Sequence, residues 1–301
     1  MPLRFIVLRD SVYGANMVAA NTAAGLVVVD NTMFRDITTT FLDSASRAFG
    51  HRRVAQLINT HGHDDHTWGN QIFADRGVPI AAHPATIEYM RRRIAEMRTF
   101  YERGPVVVSA SRDSLGAADS VTAARLRSRI DRVSTNLRRH QDLRVTVPTM
   151  PVGRDTSWVI GGAQVAVLSI GRAHSEGDIA VLLPRHGIAV VGDLIGSDEL
   201  PGLSSDGDLA AWVVALDQLQ TAARNVGIRR VIPGHGPETT LERVACNRVY
   251  VDAVRRWAMS PESSSMQAAR EASRCGIAVD SARHARNMDV ALQMRDARAR
   301  R

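Results

Sequence analysis

The sequence predicts an α/β fold, and three observations support this prediction. Short apolar runs recur along the chain, as is typical of buried strands of roughly four to eight residues. Longer segments with one apolar face separate many of these runs and indicate helices. With 45% hydrophobic and 23% charged residues among 301, the composition is typical of a globular protein, and a helix that could cross a membrane is not expected.

The N-terminal part begins with strands separated by glycine and asparagine, which favour turns. These strands are predicted at residues 5–8, 17–20, 26–30 and 54–60, with a helix at 36–49 that Gly50 ends. A strand at 79–82 and long helices at 84–103 and 114–141 follow. Strands then resume at 158–160, 163–170, 179–183, 188–191 and 230–233, with a helix at 208–225 and further helices after the last strand.

The two long helices interrupt an otherwise alternating pattern. We therefore expect a single domain over residues 1–301, with a helical insertion or cap at 85–145 and a C-terminal helical extension at 258–301. No linker of low complexity divides the chain.

Charge, cysteine content and the N-terminal residues bear on possible binding partners and on the cellular location. The net charge is +7, and residues 91–140 carry twelve arginines and five acidic residues, which equals that whole net charge. The two cysteines are too few for a disulfide framework or a cysteine zinc site, so two free thiols are expected. The apolar stretch at residues 5–8 is shorter than the core of a signal peptide, which needs about 7–15 residues, so a cytoplasmic location is expected.

A histidine-rich segment carries the strongest chemical signal. Residues 60–66 read Thr-His-Gly-His-Asp-Asp-His and directly follow an apolar strand. Imidazole and carboxylate are ligands for zinc and similar divalent metals. His61 and His63 project to one side of an extended backbone and can bind one ion, whereas Asp65 and His66, after the chain turns, can face a second.

Three further residues stand at junctions between a strand and a loop, each beside glycines. His174 lies in Gly-Arg-Ala-His, Asp193 in Val-Val-Gly-Asp and His235 in Pro-Gly-His-Gly. In this order and together with the first cluster, they fit a site for two metal ions.

With these motifs the sequence resembles the metallo-β-lactamase superfamily over about residues 12–260, with 91–140 outside the shared pattern. The resemblance implies a four-layer αββα sandwich of two mixed β-sheets flanked by helices, with metals at one edge. It also implies a ligand set in which His61, His63 and His174 bind one metal, Asp65, His66 and His235 bind the other, and Asp193 bridges them. Asp65 and His235 are the residues expected to take part in catalysis, and Thr60 and Asp64 are candidates for orienting the imidazoles.

The expected cofactor is a pair of divalent ions, with zinc favoured and iron or manganese as alternatives. Two such ions about 3.5–4 Å apart hold a bridging water and lower its pKa toward about 7, so that hydroxide can attack a carbonyl or phosphoryl centre. The chain is therefore expected to be a metal-dependent hydrolase.

Within the superfamily, the residues favour the branch of glyoxalase II, lactonases and thioesterases over true β-lactamases. One group of true β-lactamases uses a cysteine ligand near the position of Asp193. The match to glyoxalase II is incomplete, because Gly62 stands where that enzyme has a further histidine. The expected substrate is a small-molecule thioester, lactone or activated ester.

Three alternatives stay open: a phosphodiesterase or nuclease, a mononuclear-iron enzyme resembling persulfide dioxygenases, and a metal-dependent binding protein without turnover. Nucleic acid is disfavoured as a partner because the basic segment has few aromatic residues for stacking. An acidic or carrier-bound substrate is the partner considered for the arginine-rich segment, through Arg91, Arg92 and Arg93; no membrane partner is expected, and a homodimer is left open.

Two parts of the chain are expected to shape the substrate pocket. One is the loop at residues 197–208, which follows Asp193. The other is a set of aromatic residues in and near the helical segment: Trp68, Tyr89, Phe100 and Tyr101.

Overall fold

The computed structural model describes residues 5–140, 142–260 and 264–299, and its strands form two mixed sheets. The first sheet has the order β1-β2-β3-β4-β5-β6 and the second the order β11-β10-β9-β8-β7. The strands of the first sheet are β1 (Phe5–Arg9), β2 (Asn16–Thr22), β3 (Gly25–Val29), β4 (Val54–Ile58), β5 (Ile80–Ala82) and β6 (Met150–Pro151). Those of the second are β7 (Thr156–Ile160), β8 (Ala163–Gly171), β9 (Asp178–Leu183), β10 (Ile188–Gly192) and β11 (Arg230–Pro233).

Helices connect the strands and make up the C-terminal part. They are α1 (Arg35–Ala48), α2 (Asp64–Thr67), α3 (Asn70–Ala74), α4 (Pro84–Asp113), α5 (Ser120–Arg139), α6 (Leu209–Asn225), α7 (Leu241–Met259), α8 (Met266–Arg274) and α9 (Ser281–Ala299). Among the residues described, none of these helices combines the length and the apolar character that crossing a membrane requires.

Successive side chains of the strands point to opposite faces of each sheet and pack in different hydrophobic cores. In β3, Val27 and Val29 point into the core between the sheets, which also contains Val181. Leu26 and Val28 point the other way and pack in a second core that includes Phe41 of α1. The outer face of the second sheet is covered by α6 and α7, in a third core. The predicted α/β sandwich of two mixed sheets flanked by helices is therefore confirmed.

The direction of the strands brings the chemistry-bearing loops to one edge. β3, β4 and β5 are parallel neighbours, and β10 is parallel to β11. The two sheets are joined where these strands end: the Ile179 amide donates to the Thr60 carbonyl (2.8 Å), and the Asn16 amide donates to the Gly234 carbonyl (2.7 Å). Loops that are far apart in sequence therefore start from the same edge.

The two long helices differ in extent from the prediction. α4 continues to Asp113 rather than ending near residue 103, because Gly104 lets α5 pack closely: a Cβ there would lie 2.9 Å from Leu137. α5 starts at Ser120 rather than 114, since the Asp119 carboxylate accepts from the amides of the first turn at 2.9 Å and a 3₁₀ turn occupies Ser114–Ala117.

The expectation of two free thiols was wrong. Cys246 of α7 and Cys275, which follows α8, form a disulfide with a Cα–Cα distance of 5.7 Å. Their separation of 29 residues gives no signal of pairing in the sequence, and the packing of α8 on α7 brings them together.

Candidate metal centre

The histidine-rich segment runs from the end of β4 into the short helix α2. His61 and His66 are fully buried, and His63 is partly buried. His63 has extended backbone and caps α2, and the His66 amide donates to the His63 carbonyl (3.1 Å). This turn separates the side chains into two directions, as the sequence predicted.

Three imidazoles form the first group of candidate ligands. Nδ1 of His63 lies 3.1 Å from Nε2 of His61 and 3.1 Å from Nε2 of His174. His174 comes from the loop after β8, more than a hundred residues further along the chain. We call His61, His63 and His174 the three-histidine group; their ligand atoms lie within 4.8 Å of one another.

A second group combines a carboxylate with two imidazoles. Nε2 of His235 lies 3.2 Å from Nε2 of His66 and 3.2 Å from Oδ2 of Asp65. His66 is 3.8 Å from the same carboxylate oxygen. We call Asp65, His66 and His235 the mixed group; their ligand atoms also lie within 4.8 Å of one another.

Asp193 lies between the two groups. Its Oδ1 is 3.4 Å from Nε2 of His66, and its Oδ2 is 3.6 Å from Nε2 of both His174 and His235. A single carboxylate therefore faces ligands of both groups, which is the position of a bridging ligand.

The donor atoms fit divalent metal ions in spacing and chemistry. Nitrogen ligands about 2.0–2.1 Å from a tetrahedral zinc are about 3.3 Å apart, close to the 3.1 Å separations within the three-histidine group. The Asp193 Oδ1 atom is buried and makes no hydrogen bond among the described residues. Glycines keep the centre open, because a Cβ at Gly234 would overlap the Asp193 carboxylate and one at Gly192 would overlap the Thr60 hydroxyl.

The second ring nitrogen of each candidate imidazole lies near a polar group. In four of the five a hydrogen bond fixes the orientation of the ring, whereas Nδ1 of His66 is near Asp30 without forming a hydrogen bond among the described residues. These contacts are His61 Nδ1 to Thr60 Oγ1 (3.1 Å), His63 Nε2 to Asp206 (3.2 Å), His66 Nδ1 to Asp30 Oδ2 (3.3 Å), His174 Nδ1 to the Gly202 carbonyl (3.1 Å) and His235 Nδ1 to the Tyr13 carbonyl (3.1 Å).

Of the three side chains among these partners, sequence reasoning missed two. Asp30 stands directly after the apolar run of β3, and this position after a strand is the same signal that pointed to Asp193. Asp206 lies in a loop without any such signal. Of the two predicted orienting residues, Thr60 contacts an imidazole, whereas Asp64 points away and forms an ion pair with Arg93 (2.7 Å).

Burial and charge shift the pKa values of the candidate ligands in different directions. Burial lowers the pKa of His174 to about 4 and that of His61 well below its usual value, so both imidazoles are neutral near pH 7. Burial acts to raise the pKa of Asp65, but the charges of His66 and His235 outweigh it and lower the pKa to about 2.

Burial acts to lower the pKa of His66, but the charges of Asp65 and Asp193 outweigh it and raise the pKa well above its usual value. Carboxylates also raise the pKa of His63 and His235. A metal binds neutral imidazoles and ionised carboxylates, so these three imidazoles would release protons on metal binding.

The first half of α4 forms a wall beside the three-histidine group. The Tyr89 ring lies 5.9 Å from the His63 ring, and a Cβ on Gly62 would come within 2.7 Å of Tyr89. Arg93 binds Asp64 on one side, and the Thr86 hydroxyl donates to the Gly177 carbonyl on the other. α4 is thus fixed to both loops that supply this group.

The other predicted pocket residues lie in different places. Trp68 is buried and packs edge-on against His140, with ring centroids 5.0 Å apart. Tyr101 donates a hydrogen bond to the His140 carbonyl and packs against Phe100. Tyr89 is therefore the predicted aromatic residue that the structure places at the metal ligands.

The loop at residues 197–208 does reach the site, through Gly202 and Asp206. The three consecutive arginines on α4 are engaged within the chain. Arg91 pairs with Glu88, Arg92 with Glu176 and Arg93 with Asp64, at 2.9, 2.6 and 2.7 Å.

Comparison with known proteins agrees with this geometry. The family model described as "Metallo-beta-lactamase superfamily" matches residues 12–235. Two curated relatives are named "Metallo-beta-lactamase type 2". The one from Bacillus sp. (strain 170) is 24% identical and the one from Bacillus cereus 23% identical, each over 224 residues. The match covers 74% of this chain and 66% and 67% of the relatives' own lengths.

Solved structures share the fold. A metallo-beta-lactamase family protein from Thermus thermophilus superposes with a TM-score of 0.64 at 14% identity, covering 99% of this chain and 94% of its own. A metallo-beta-lactamase from Pontibacter korlensis superposes with a TM-score of 0.55 at 18% identity, covering 81% and 95%.

Proposed function

The chain belongs to the metallo-beta-lactamase superfamily, and from this premise we propose that it is a dinuclear metal hydrolase acting on a small-molecule thioester, lactone or activated ester. The observation that carries the proposal is the position of Asp193 between the two groups, within 3.6 Å of His174 on one side and His235 on the other. Zinc is the proposed metal because imidazole and carboxylate ligands suit it.

The candidate ligands would have different roles in the proposed hydrolysis. Two divalent ions, when bound, supply an activated water and polarise the electrophilic centre of the substrate. The carboxylates of Asp65 and Asp193 offset part of the ions' charge. His66 is fully buried, whereas the side chains of Asp65 and His235 are 22% and 33% exposed, so substrate and water reach the mixed group at these two residues. We therefore assign Asp65 and His235 to the catalytic face of the centre.

Two observations support the thioesterase and lactonase branch. Asp193 lies between the two groups, where a bridging ligand would stand, and both cysteines of the chain form the disulfide between Cys246 and Cys275, so neither offers a thiolate ligand. The substrate would lie against Tyr89, whose ring packs over Gly62. A histidine at position 62, as in glyoxalase II, would collide with that ring, so the chain differs from that enzyme beside the three-histidine group.

A second candidate is a β-lactamase, because the two curated relatives carry that name. The experiment that separates the candidates begins with metal analysis of the purified protein. It then measures turnover of four substrates: a thioester, a lactone, a chromogenic β-lactam and a generic phosphodiester. Two zinc ions per chain and turnover of the thioester or lactone support the proposal. Turnover of the β-lactam alone transfers the assignment to the second candidate, and turnover of the phosphodiester alone overturns both.

His63→Ala is the matched test of the ligand set. His63 is within 3.1 Å of both other members of the three-histidine group, so its loss should remove metal and turnover together. His186→Ala is the control, since His186 is a partly exposed histidine in the turn between β9 and β10, away from the site. Normal turnover by His63→Ala would refute the ligand assignment.

A further inference from the structure

We propose that Asn287, on the C-terminal helix α9, is a positioning residue for the three-histidine group. It holds the loop whose atoms support the outer nitrogens of His63 and His174. The inference rests on the metal centre of the proposed function, but not on the identity of the substrate.

The loop between β10 and α6 contacts two of the three imidazoles. The Gly202 carbonyl lies 3.1 Å from Nδ1 of His174. Four residues later, both carboxylate oxygens of Asp206 lie near Nε2 of His63, at 3.3 and 3.2 Å, and the Ser204 hydroxyl donates to the same carboxylate. A shift of this loop would therefore rotate two ligands of one group at once.

Both polar atoms of the Asn287 side chain form hydrogen bonds to the backbone of this loop. Its Oδ1 accepts from the Leu203 amide (3.1 Å), and its Nδ2 donates to the Pro201 carbonyl (2.9 Å) and to the Tyr250 hydroxyl (3.0 Å). The residue is 3% exposed. Because a buried polar group without a partner is costly, removing the amide would force the Leu203 and Pro201 backbone to move toward other partners or water.

Other parts of the chain hold the two ends of the loop, whereas residues of α9 hold its middle. At the start, Asn247 binds Gly196 through two hydrogen bonds of 2.9 and 2.8 Å. At the end, the Asp208 amide donates to the Ala173 carbonyl (2.9 Å). Between them, residues 200–203 are held from α9, by Asn287 and by Arg283, which donates to the Leu200 carbonyl (2.9 Å).

The mixed group has a separate support from the N-terminal strands. Nδ2 of Asn16 donates to the Pro233 carbonyl (2.9 Å) and to the Gly236 carbonyl (2.8 Å), on both sides of His235. Two buried asparagines at opposite ends of the sequence thus hold the loops of different groups. Asn287 should affect the three-histidine group and Asn16 the mixed group.

The test measures the affinity of each group separately. In a His235→Ala background the three-histidine group is the one left complete, and in a His174→Ala background it is the mixed group. Co²⁺ is titrated against a competing chelator in each background, with and without Asn287→Ala or Asn16→Ala. Changes to outer partners of ligands cost about 10–100-fold in affinity, so we expect about a tenfold loss for Asn287→Ala in the three-histidine group and less than twofold in the mixed group. Asn16→Ala should show the reverse.

Tyr250→Phe is the matched control for mere packing damage. It removes the third partner of Asn287 and the contact of that hydroxyl with His284, but leaves the bonds to Leu203 and Pro201 in place. We expect it to leave Co²⁺ affinity and the visible absorption spectrum of the Co²⁺ form unchanged, whereas Asn287→Ala should change both. An equal loss in Tyr250→Phe would reduce the role of Asn287 to packing and overturn the inference.

A milder variant protects the test against misfolding. If Asn287→Ala does not fold, Asn287→Ser keeps an uncharged hydroxyl that can replace one of the lost hydrogen bonds, and it should show a smaller loss confined to the three-histidine group. An unchanged Co²⁺ affinity of the three-histidine group, or an equal loss of affinity in both groups, would contradict the inference. Wild-type protein that binds no divalent ion at all would instead contradict the proposed function.

Discussion

The carboxylate of Asp30 accepts two hydrogen bonds from Thr60, one from its amide (2.7 Å) and one from its hydroxyl (2.6 Å). Asp30 also lies 3.3 Å from Nδ1 of His66, while the Thr60 hydroxyl lies 3.1 Å from Nδ1 of His61. One buried carboxylate at the end of β3 therefore contacts an imidazole of the mixed group directly and one of the three-histidine group through Thr60.

Asp30→Asn should weaken metal binding without unfolding the protein. The amide is isosteric but places a donor where two donors and an imidazole converge, so we expect about a 10–100-fold loss of affinity in both groups. Chelator competition in the single-group backgrounds measures it. Loss confined to one group would contradict the shared role of Asp30.

Asp30→Ala should in addition cost stability. Asp30 has φ of +58°, a left-handed conformation that asparagine and aspartate tolerate better than alanine. We therefore expect Asp30→Ala to be less stable than Asp30→Asn by about 1 kcal/mol or more in urea unfolding of the metal-free proteins. Equal midpoints for the two variants would show that the backbone conformation contributes nothing.

Asp193→Ala should disturb the pair of ions more than either ion alone. Its two oxygens face His66 on one side and His174 and His235 on the other, so its loss removes the proposed bridge while three ligands of each group remain. We expect fewer than two tightly bound ions per chain and a turnover loss of more than tenfold. Metal analysis after dialysis checks the first and a turnover assay the second; two ions with a normal rate would argue that Asp193 does not bridge.

The disulfide should stabilise the C-terminal helices. Closing a loop of 29 residues restricts the unfolded chain, which the chain-entropy model values at about 3–4 kcal/mol. The double variant Cys246→Ser/Cys275→Ser should therefore unfold at lower urea than the wild type, and a reductant should lower only the wild-type midpoint. Identical midpoints with and without reductant would mean that the bond does not form in solution.

The disulfide is also relevant to the cellular location of the protein. Disulfides are rare in the reducing cytosol and persist in oxidising compartments. A cytoplasmic location stays a prediction, and the disulfide between Cys246 and Cys275 weighs against it.

His140 should make the protein sensitive to mild acid. Burial, followed by the charge of Arg139, lowers the pKa of His140 from 6.5 to about 4. The unfolded chain then takes up this proton at higher pH than the folded one, so the stability from His140 is complete above about pH 6.5 and is lost as pH falls toward 4. His140→Phe keeps an aromatic ring between Phe34 and Trp68 and removes the titration.

The measurement is the free energy of unfolding in urea at several values between pH 7.5 and 4.5. We expect the difference between His140→Phe and the wild type to shift in favour of the variant as the pH falls. Other buried groups also titrate in this range, and comparing the two proteins cancels their contribution. Parallel pH profiles would contradict a lowered pKa at His140.

The sequence alone determined the fold class and the candidate ligands. The apolar runs marked buried strands, and the placement of His61, Asp193 and His235 directly after such runs indicated a common edge, because strands of the same direction end there. The segment at residues 60–66 also carried its two-sided geometry locally, through the spacing of its histidines and the turn into α2.

Only the tertiary structure decided which groups hold those ligands in place. Asp206 and Asn287 are polar residues of ordinary appearance in the sequence, and nothing in the sequence indicates the pairing of Cys246 with Cys275. Their roles come from contacts across long sequence separations, such as the 143 residues between His63 and Asp206. A local pattern can encode the type of a side chain and its direction along a strand or helix. Its partner is set by how the sheets and helices pack, and no short stretch of sequence records that.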